Sequence, residues 1–207
     1  MADRMVEQLM DSTLFFTRVP FPSIAPGDKK YLRSEDNEYC AWSGPSQGLT
    51  LQRSVRALEN YGHCAELGLV AGRFFDVLER HAGDFNVQFN PETGASMGSG
   101  GYGPMILAAL EYLTHLYGLY PCGDGVLRGY VDGGQAFEVS SGVRVVTDRS
   151  GRMKRIIGLS PVEVSVTVVQ GGVPVSITVA PNEVYSLENG RWRKTSAVQF
   201  FNPYSQK

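Results

Sequence analysis

Apolar residues recur at every third or fourth position in the first half of the chain, which is the period of an amphipathic helix. The pattern covers the segments 2–11, 47–61, 65–80 and 104–117. Pro104 suits a first helical turn, and Gly62 and Gly118 follow the last apolar positions of their segments. We therefore predict four helices, of which the second and third form a helical hairpin.

The period changes after Pro121, where apolar and polar residues begin to alternate. Alternating runs occupy 143–147, 162–168, 173–179 and 184–187, with turn-forming residues at 148–151, 170–172, 180–182 and 188–190. Short alternating runs between turn signals are typical of an antiparallel sheet or a small sandwich. The chain is therefore predicted to be an α+β protein, with a helical segment at 1–121 and an antiparallel β domain at 122–207.

The composition is that of an ordinary globular protein of 207 residues, long enough to bury a sizeable core. A net charge of −2, with acidic and basic residues interspersed, gives no electrostatic reason to expect nucleic acid or an anionic membrane as a partner. No apolar run is long enough to span a bilayer, and the acidic N-terminal residues do not have the pattern of a signal peptide. These features predict a cytoplasmic protein.

The cysteines and histidines indicate neither a disulfide framework nor a metal site. Cys40, Cys64 and Cys122 are odd in number and widely spaced, so we interpret them as buried or incidental thiols. The three histidines have no spacing that suits metal ligation. We expect no cofactor.

Two loop regions have an unusual composition. Residues 14–28 contain three prolines and several aromatic residues, which predicts an extended packing strap, or alternatively a segment at the rim of a pocket. Residues 83–103 form a long glycine-bearing loop before the last helix. In that loop Asn90 precedes Pro91, which disfavours helix, and Gly94 can adopt the positive φ of a turn. Such loops commonly display binding groups.

A series of short motifs in the first half of the chain resembles one enzyme family. In order they are Pro-Phe-Pro-Ser-Ile-Ala at 20–25, Trp-Ser-Gly-Pro-Ser-Gln at 42–47, a helix ending Leu-Glu-Asn-Tyr-Gly at 58–62, Phe-Asn-Pro-Glu-Thr-Gly at 89–94 and Gly-Tyr-Gly at 101–103. Their order and spacing resemble the C-terminal half of the catalytic barrel in glycoside hydrolases of the family 63, trehalase and mannosylglycerate hydrolase kind. The resemblance covers about residues 5–120. The β-rich remainder is similar in position to the small domain that follows the barrel.

The resemblance implies part of a six-fold α/α barrel whose loops line a sugar pocket, and hydrolysis with inversion at the anomeric carbon. Inversion needs two separated carboxyl groups, a general acid and a general base. The acid of such enzymes comes from the earlier half of the barrel, and the position of the glutamate base falls on Val87, which cannot accept a proton. Asp84 and Glu92 are the carboxylates of the central loop, so both are candidate catalytic residues, with turn formation as the alternative role.

The same resemblance suggests substrate-binding residues. Three aromatic residues are candidates for stacking on sugar faces and three amides for bonding to hydroxyls: Trp42, Phe89, Tyr102, Gln47, Gln88 and Asn90. The sequence departs from the family at Ser43 and Gln47, where an arginine and a second tryptophan are common. These departures support a pocket wall better than a catalytic centre. Core packing is the alternative role for Trp42.

Two functional hypotheses follow. The first is the C-terminal portion of a glycoside hydrolase-like barrel, as a fragment or a split gene product, whose loops bind a sugar. The second is a non-catalytic sugar-binding or assembly module that has lost the catalytic carboxylates. A partial barrel leaves an apolar side open, so the expected partners are a carbohydrate ligand and either a second copy of the chain or an N-terminal barrel half.

Overall fold

The computed structural model describes residues 2–32, 42–81, 84–117, 119–121, 127–129, 136–140, 142–147, 153–170 and 172–195. Several features singled out in the sequence lie outside these residues: Gly118, Cys40, Cys122 and the turn at 148–151. The chain divides into two compact units. Unit 1 comprises Met1–Ala57 and Leu69–Tyr112, and unit 2 comprises Leu58–Gly68 and Leu113–Lys207. The domain boundary between residues 121 and 122 stays a prediction.

Four helices lie among the described residues: α1 (Ala2–Leu9), α2 (Gly48–Glu59), α3 (Cys64–Arg80) and α4 (Gly103–Tyr117). They confirm the four segments predicted from the helical period. The turn after α2 contains Gly62 with a φ of 81°, a conformation that suits glycine. The Gly62 N–H donates to the Glu59 carbonyl at 2.9 Å, and the His63 N–H donates to the Leu58 carbonyl at 3.0 Å. These bonds satisfy the last carbonyls of α2 and turn the chain towards α3.

The helical residues of unit 1 enclose an apolar core. Its completely buried side chains include Leu51, Val55, Val70, Phe74 and Tyr112. The ring centroids of Phe74 and Tyr112 lie 5.6 Å apart, and the Tyr112 hydroxyl forms a 2.6 Å hydrogen bond with Ser54 Oγ. Burial raises the pKa of Tyr112, so the phenol stays neutral. The hydrogen bond to Ser54 means that the buried hydroxyl avoids the free-energy penalty of an unpaired polar group.

A short three-stranded antiparallel sheet, which the sequence pattern does not predict, joins the loops of unit 1. Its strands are β1 (Ser46–Gln47), β2 (Gln88–Phe89) and β3 (Ser96–Met97), with β2 in the middle. The strap at 14–28 runs beside β1, because Pro22 forms an antiparallel bridge with Ser46. Ser46 Oγ also donates to the carbonyl of Val19 at 2.8 Å. The strap therefore extends one edge of the sheet.

Arg73 of α3 holds the strap against unit 1. Its guanidinium carbon lies 3.5 Å from the ring centroid of Phe16, and its Nη1 donates to the carbonyls of Phe16 and Thr17. The next apolar residues of the strap, Val19 and Phe21, are buried. The strap is thus packed, as predicted from its prolines and aromatic residues. The prediction of an extended chain is wrong for its first residues, because the N–H groups of Phe15 and Phe16 both donate to the Asp11 carbonyl in a turn.

Unit 2 is built from antiparallel strands. They are β4 (Leu119–Pro121), β5 (Leu127–Gly129), β6 (Ala136–Ser140), β7 (Val143–Thr147), β8 (Met153–Gly158), β9 (Val164–Gln170), β10 (Val173–Val179), β11 (Val184–Glu188) and β12 (Arg191–Thr195). One sheet has the order β12-β11-β8-β7-β6, while β9 pairs with β10 and β4 pairs with β5. The core includes Val143, Ile156, Val168, Ile177 and Val179. The predicted α+β class, a helical segment followed by antiparallel strands, is confirmed.

Candidate functional site

The sheet of unit 1 places two buried amides side by side. Gln47 of β1 lies opposite Gln88 of β2, so the two side chains leave the same face of the sheet with Cβ atoms about 4.5–5.5 Å apart. Both residues are almost completely buried, with 2% and 3% of their surface exposed. Oε1 of Gln88 has no hydrogen-bond partner among the described residues. Because buried polar atoms are nearly always bonded, this oxygen marks a place where an external donor would be favourable.

The neighbouring residue, Phe89, lies on the opposite face of the sheet because successive strand residues alternate in direction. It is completely buried, and its ring centroid lies 5.4 Å from that of His81. His81 Nε2 lies 2.8 Å from the carbonyl oxygen of Gly94. Phe89 therefore packs in the interior of unit 1 and exposes no ring face for the stacking role predicted from the sequence.

Asn90 organises the turn that follows β2. Its Oδ1 accepts hydrogen bonds from the N–H groups of Glu92 and Thr93, both at 2.9 Å. Its backbone carbonyl accepts the N–H of Gly94, also at 2.9 Å, and Gly94 has the positive φ, 77°, predicted for it. The Asn90 side-chain oxygen that was expected to bind sugar hydroxyls is thus engaged in an Asx turn.

The two candidate catalytic carboxylates, Asp84 and Glu92, are exposed. Val87, which lies between them in the sequence, is half-buried. Glu92 Oε2 lies 3.4 Å from the hydroxyl of Tyr31, at the long limit of a hydrogen bond. Asp84 Oδ2 accepts a 3.0 Å hydrogen bond from Asn86 Nδ2. The arrangement holds Asp84 in place, whereas Glu92 extends from a turn with a weak contact.

Asp84 also packs closely on the glycine-rich part of the loop. A Cβ added at Gly100 would lie 2.1 Å from Asp84 Oδ1, so the carboxylate rests on the bare backbone there. Neither Gly100 nor Asn86, which is buried, was among the site residues predicted from the sequence. The available signal was the Asp-x-Asn spacing, since short polar side chains in loops commonly bond to neighbouring groups.

Trp42 and Tyr102 keep accessible aromatic surface. Trp42 is 57% exposed, and Tyr102 is partly buried immediately before α4, where its carbonyl accepts the Met105 N–H at 3.0 Å. The turn after Trp42 is tightly packed, because a Cβ at Gly44 would lie 2.6 Å from the carbonyl oxygen of Leu32. The core-packing alternative for Trp42 is therefore not what the structure shows, and its indole is available to a ligand.

The first turns of α2 and α4 meet beside Gln47. Gly48 follows Gln47 directly, and a Cβ there would lie 2.6 Å from the Met105 nitrogen and 2.8 Å from the carbonyl carbon of Pro104. This close approach requires glycine. The close approach brings the end of β1 next to the start of α4. The backbones of Gln47 and Tyr102 therefore lie in one region of unit 1.

Comparison with known families finds a match for the helical part of the chain. Residues 1–103 match the family model described as the mannosylglycerate hydrolase MGH1-like glycoside hydrolase domain. This part of the chain is similar to that family. The matched range of the glycoside hydrolase domain contains every candidate site residue from Trp42 to Tyr102. The resemblance drawn from the motifs is confirmed.

Solved structures show a more distant likeness. A GH63 mannosylglycerate hydrolase from Thermus thermophilus in complex with glucose is 23% identical, with a TM-score of 0.39, over 55% of this chain and 25% of that one. An uncharacterized conserved protein from the same organism is 21% identical, with a TM-score of 0.40, over 55% of this chain and 25% of that one. The chain therefore spans about a quarter of the length of these proteins. No curated protein matches it.

The described residues contain neither a cluster of metal-ligating side chains nor a membrane-spanning helix. Within them, no three histidine, cysteine, aspartate or glutamate side chains are grouped so that they could hold a metal ion. No helix in the same ranges has the length and apolar character needed to cross a membrane. Cys64 is a buried free thiol, in agreement with its interpretation from the sequence, and burial raises its pKa to about 12.

Proposed function

We propose that the glycoside hydrolase-like domain binds a sugar on the sheet face that carries Gln47 and Gln88. The observation that carries the proposal is the buried Oε1 of Gln88, which has no partner among the described residues. Leaving a buried amide oxygen unbonded costs about 1–3 kcal/mol. A sugar hydroxyl that donates to this oxygen recovers that free energy, so the pair of amides favours a polyhydroxylated ligand.

Aromatic surface in the same unit suits the apolar face of a pyranose. Trp42 offers an exposed indole, and Tyr102 immediately precedes α4, the helix that touches the end of β1 at Gly48. Sugar recognition of this kind combines directional hydrogen bonds with stacking on an aromatic ring. In the proposed site Phe89 supports the sheet from behind.

For the chemistry, the family resemblance implies inverting hydrolysis of an O-glycosidic bond, which needs two carboxyl groups. The register of the base falls on Val87, and the nearby carboxylates Asp84 and Glu92 are exposed. An exposed carboxylate lacks the partly dehydrated surroundings that tune catalytic groups. These observations favour the non-catalytic alternative for this chain, with Asp84 and Glu92 as the residues to test for turnover.

Ligand-observed NMR tests the binding site, with glucose, mannose, trehalose and mannosylglycerate as probes. Gln88→Met keeps the side-chain length and removes the amide, so we expect it to weaken binding about three- to tenfold, the value of one hydrogen bond. Glu79→Gln, at an exposed position of α3, is the matched control and should leave binding unchanged. Absence of binding to all four sugars, or equal binding by Gln88→Met, contradicts the proposal.

A time course of the same NMR samples separates the two functional hypotheses. Appearance of an anomeric product that is lost in Asp84→Asn or Glu92→Gln identifies a hydrolase and a catalytic carboxylate. Binding without product, weakened by Trp42→Ala, identifies a sugar-binding module. We expect the second result, because Val87 occupies the position of the base.

An apolar side of α4 supports the predicted self-association. Ile106, Leu107 and Leu110 expose 36%, 50% and 39% of their surfaces in unit 1. Contiguous apolar surface of this kind commonly binds a partner. We propose a second copy of the chain as that partner, with an N-terminal barrel half as the alternative. Sedimentation velocity should show a concentration-dependent dimer that Leu107→Lys abolishes, and a monomer at every micromolar concentration contradicts self-association.

A further inference from the structure

The strap contacts both of the turns that border the proposed sugar site. The Val19 N–H donates to the carbonyl of Pro91, in the turn that follows β2, at 3.1 Å. Four residues further along the chain, Ser23 bonds to the turn at 42–45, here called the Trp42 turn. A single segment therefore joins the Trp42 turn to the turn that follows β2.

Ser23 binds the Trp42 turn through both its side chain and its backbone. Its Oγ accepts the Gly44 N–H at 2.9 Å, and its own N–H donates to the Pro45 carbonyl at 3.1 Å. Gly44 and Pro45 are buried, so these backbone groups have little access to water. Because a buried N–H without an acceptor is unfavourable, the Ser23 hydroxyl fixes the position of the Gly44 backbone.

The residues after the strap hold the same turn. The Leu32 N–H donates to the Ser43 carbonyl at 2.7 Å. A Cβ added at Gly44 would lie 2.9 Å from the nearest carbon of the Tyr31 ring, so that ring packs closely on the glycine backbone. Contacts therefore hold the Trp42 turn at each of the three residues that follow the indole.

The turn determines how the Trp42 indole is oriented. Trp42 exposes 57% of its surface, so packing constrains less than half of the side chain. Its orientation therefore depends on the backbone to which it is attached. Binding groups that are held in place before the ligand arrives bind more tightly, because less conformational entropy is lost on binding.

We propose that Ser23 is a positioning residue for sugar binding, and that its hydroxyl orients the Trp42 indole through the Gly44 N–H. This inference rests on the proposed sugar site. Ser23 needs no contact with the ligand for this role. Loss of the hydroxyl leaves the buried Gly44 N–H without this acceptor, so the turn moves, the indole samples several orientations and the sugar loses a fixed stacking surface.

¹⁹F NMR of protein labelled with 5-fluorotryptophan observes the indole directly, because the chain contains two tryptophans, Trp42 and Trp192. The spectrum of Trp42→Phe assigns the two resonances. In Ser23→Ala we expect the Trp42 resonance to shift or broaden by more than its linewidth, while the Trp192 resonance, from unit 2, stays unchanged. Ser23→Thr keeps the hydroxyl and should give the wild-type spectrum. Ser23→Val matches threonine in shape without the hydroxyl and should behave like Ser23→Ala.

The NMR binding assay with the four sugars measures the consequence for the ligand. Ser23→Ala should weaken binding about three- to tenfold, and Ser23→Thr should bind as the wild type does. Trp42→Ala should cause a smaller loss in the Ser23→Ala background than in the wild type, because both changes act through the same indole. Ser54→Ala is the control, since it removes a buried hydroxyl that bonds to Tyr112. It should lower stability and leave both the Trp42 resonance and the affinity unchanged.

Three results overturn the inference. They are an unchanged Trp42 resonance in Ser23→Ala and Ser23→Val, the same spectral change in Ser54→Ala, and fully additive losses of affinity for Ser23→Ala and Trp42→Ala. Failure of the proposed function is distinguishable from these results. If the wild type binds none of the four sugars, the sugar site is contradicted, while the sugar-free ¹⁹F spectra still decide whether Ser23 orients the indole.

Discussion

Replacement of Gly48 by alanine tests the contact between the first turns of α2 and α4. The new Cβ would lie 2.6 Å from the Met105 nitrogen, whereas ordinary contact begins near 3.4 Å. The nearest atoms belong to the backbone of Pro104 and Met105, so no side-chain rotation relieves the overlap. Overpacking of this kind costs about 1–3 kcal/mol. Loss of glycine's freedom in the unfolded chain offsets about 0.4–1 kcal/mol. We expect a net destabilisation of about 1–2 kcal/mol.

Gly72→Ala is the matched control, because Gly72 lies inside α3 and a Cβ there meets no atom within 4 Å. Alanine should therefore stabilise the protein by about 0.5–1 kcal/mol. Urea unfolding followed by far-UV circular dichroism measures both variants. Opposite signs are expected, and a Gly48→Ala variant as stable as Gly72→Ala would refute the assigned backbone contact.

Substitutions at Arg73 and Asn182 test the strap and the turn before β11. Arg73→Met removes the cation and the hydrogen bonds that hold the strap, so trypsin should cut within 14–28 severalfold faster. Arg80→Met is the control, because its exposed ion pair contributes little to stability, and it should not change the rate of cleavage. Asn182→Gly permits the φ of 64° but loses the 2.7 Å hydrogen bond to Glu66. Asn182→Ala loses the same bond and should lower the free energy of unfolding by about 1 kcal/mol more, because alanine disfavours that φ. Thermal unfolding measures this difference, and equal melting temperatures contradict it.

Local periodicity was sufficient where one face of an element is apolar and buried. In α3 the apolar positions of the predicted segment 65–80 include Leu67, Val70, Phe74 and Val77, and all four side chains are buried. In β10 the alternation from Val173 to Val179 places Ile177 and Val179 in the core. Hydrophobic burial on one face leaves a repeat in the sequence, and that repeat is readable without any long-range information.

The missed strands lack such a repeat. β12 has the sequence Arg-Trp-Arg-Lys-Thr, in which Trp192 is the single apolar residue, and it lies at an edge of its sheet. An edge strand with charged side chains avoids pairing with other chains, but it has no alternating pattern to detect. Its pairing with β11 is a tertiary feature that local sequence does not report.

The candidate site was only partly predictable for a related reason. Motif resemblance selected Gln47 and Gln88, but their juxtaposition depends on the register between two strands that are distant in sequence. The same resemblance selected Phe89 without specifying its face, and strand alternation turns it into the core. A motif locates a residue along the chain, whereas pairing decides which side of the sheet it occupies.

An ion pair joins Glu59, at the end of α2, to Arg144 of β7, with Glu59 Oε1 3.0 Å from Arg144 Nη1. This contact affects whether the β region can be expressed as a separate polypeptide. A polypeptide limited to residues 122–207 carries Arg144 but neither Glu59 nor His115. Its β7 strand would then lack the carboxylate that bonds to Arg144 Nη1 inside the folded unit. The β region expressed alone is therefore expected to be less stable than the same region expressed together with residues 58–68 and 113–121.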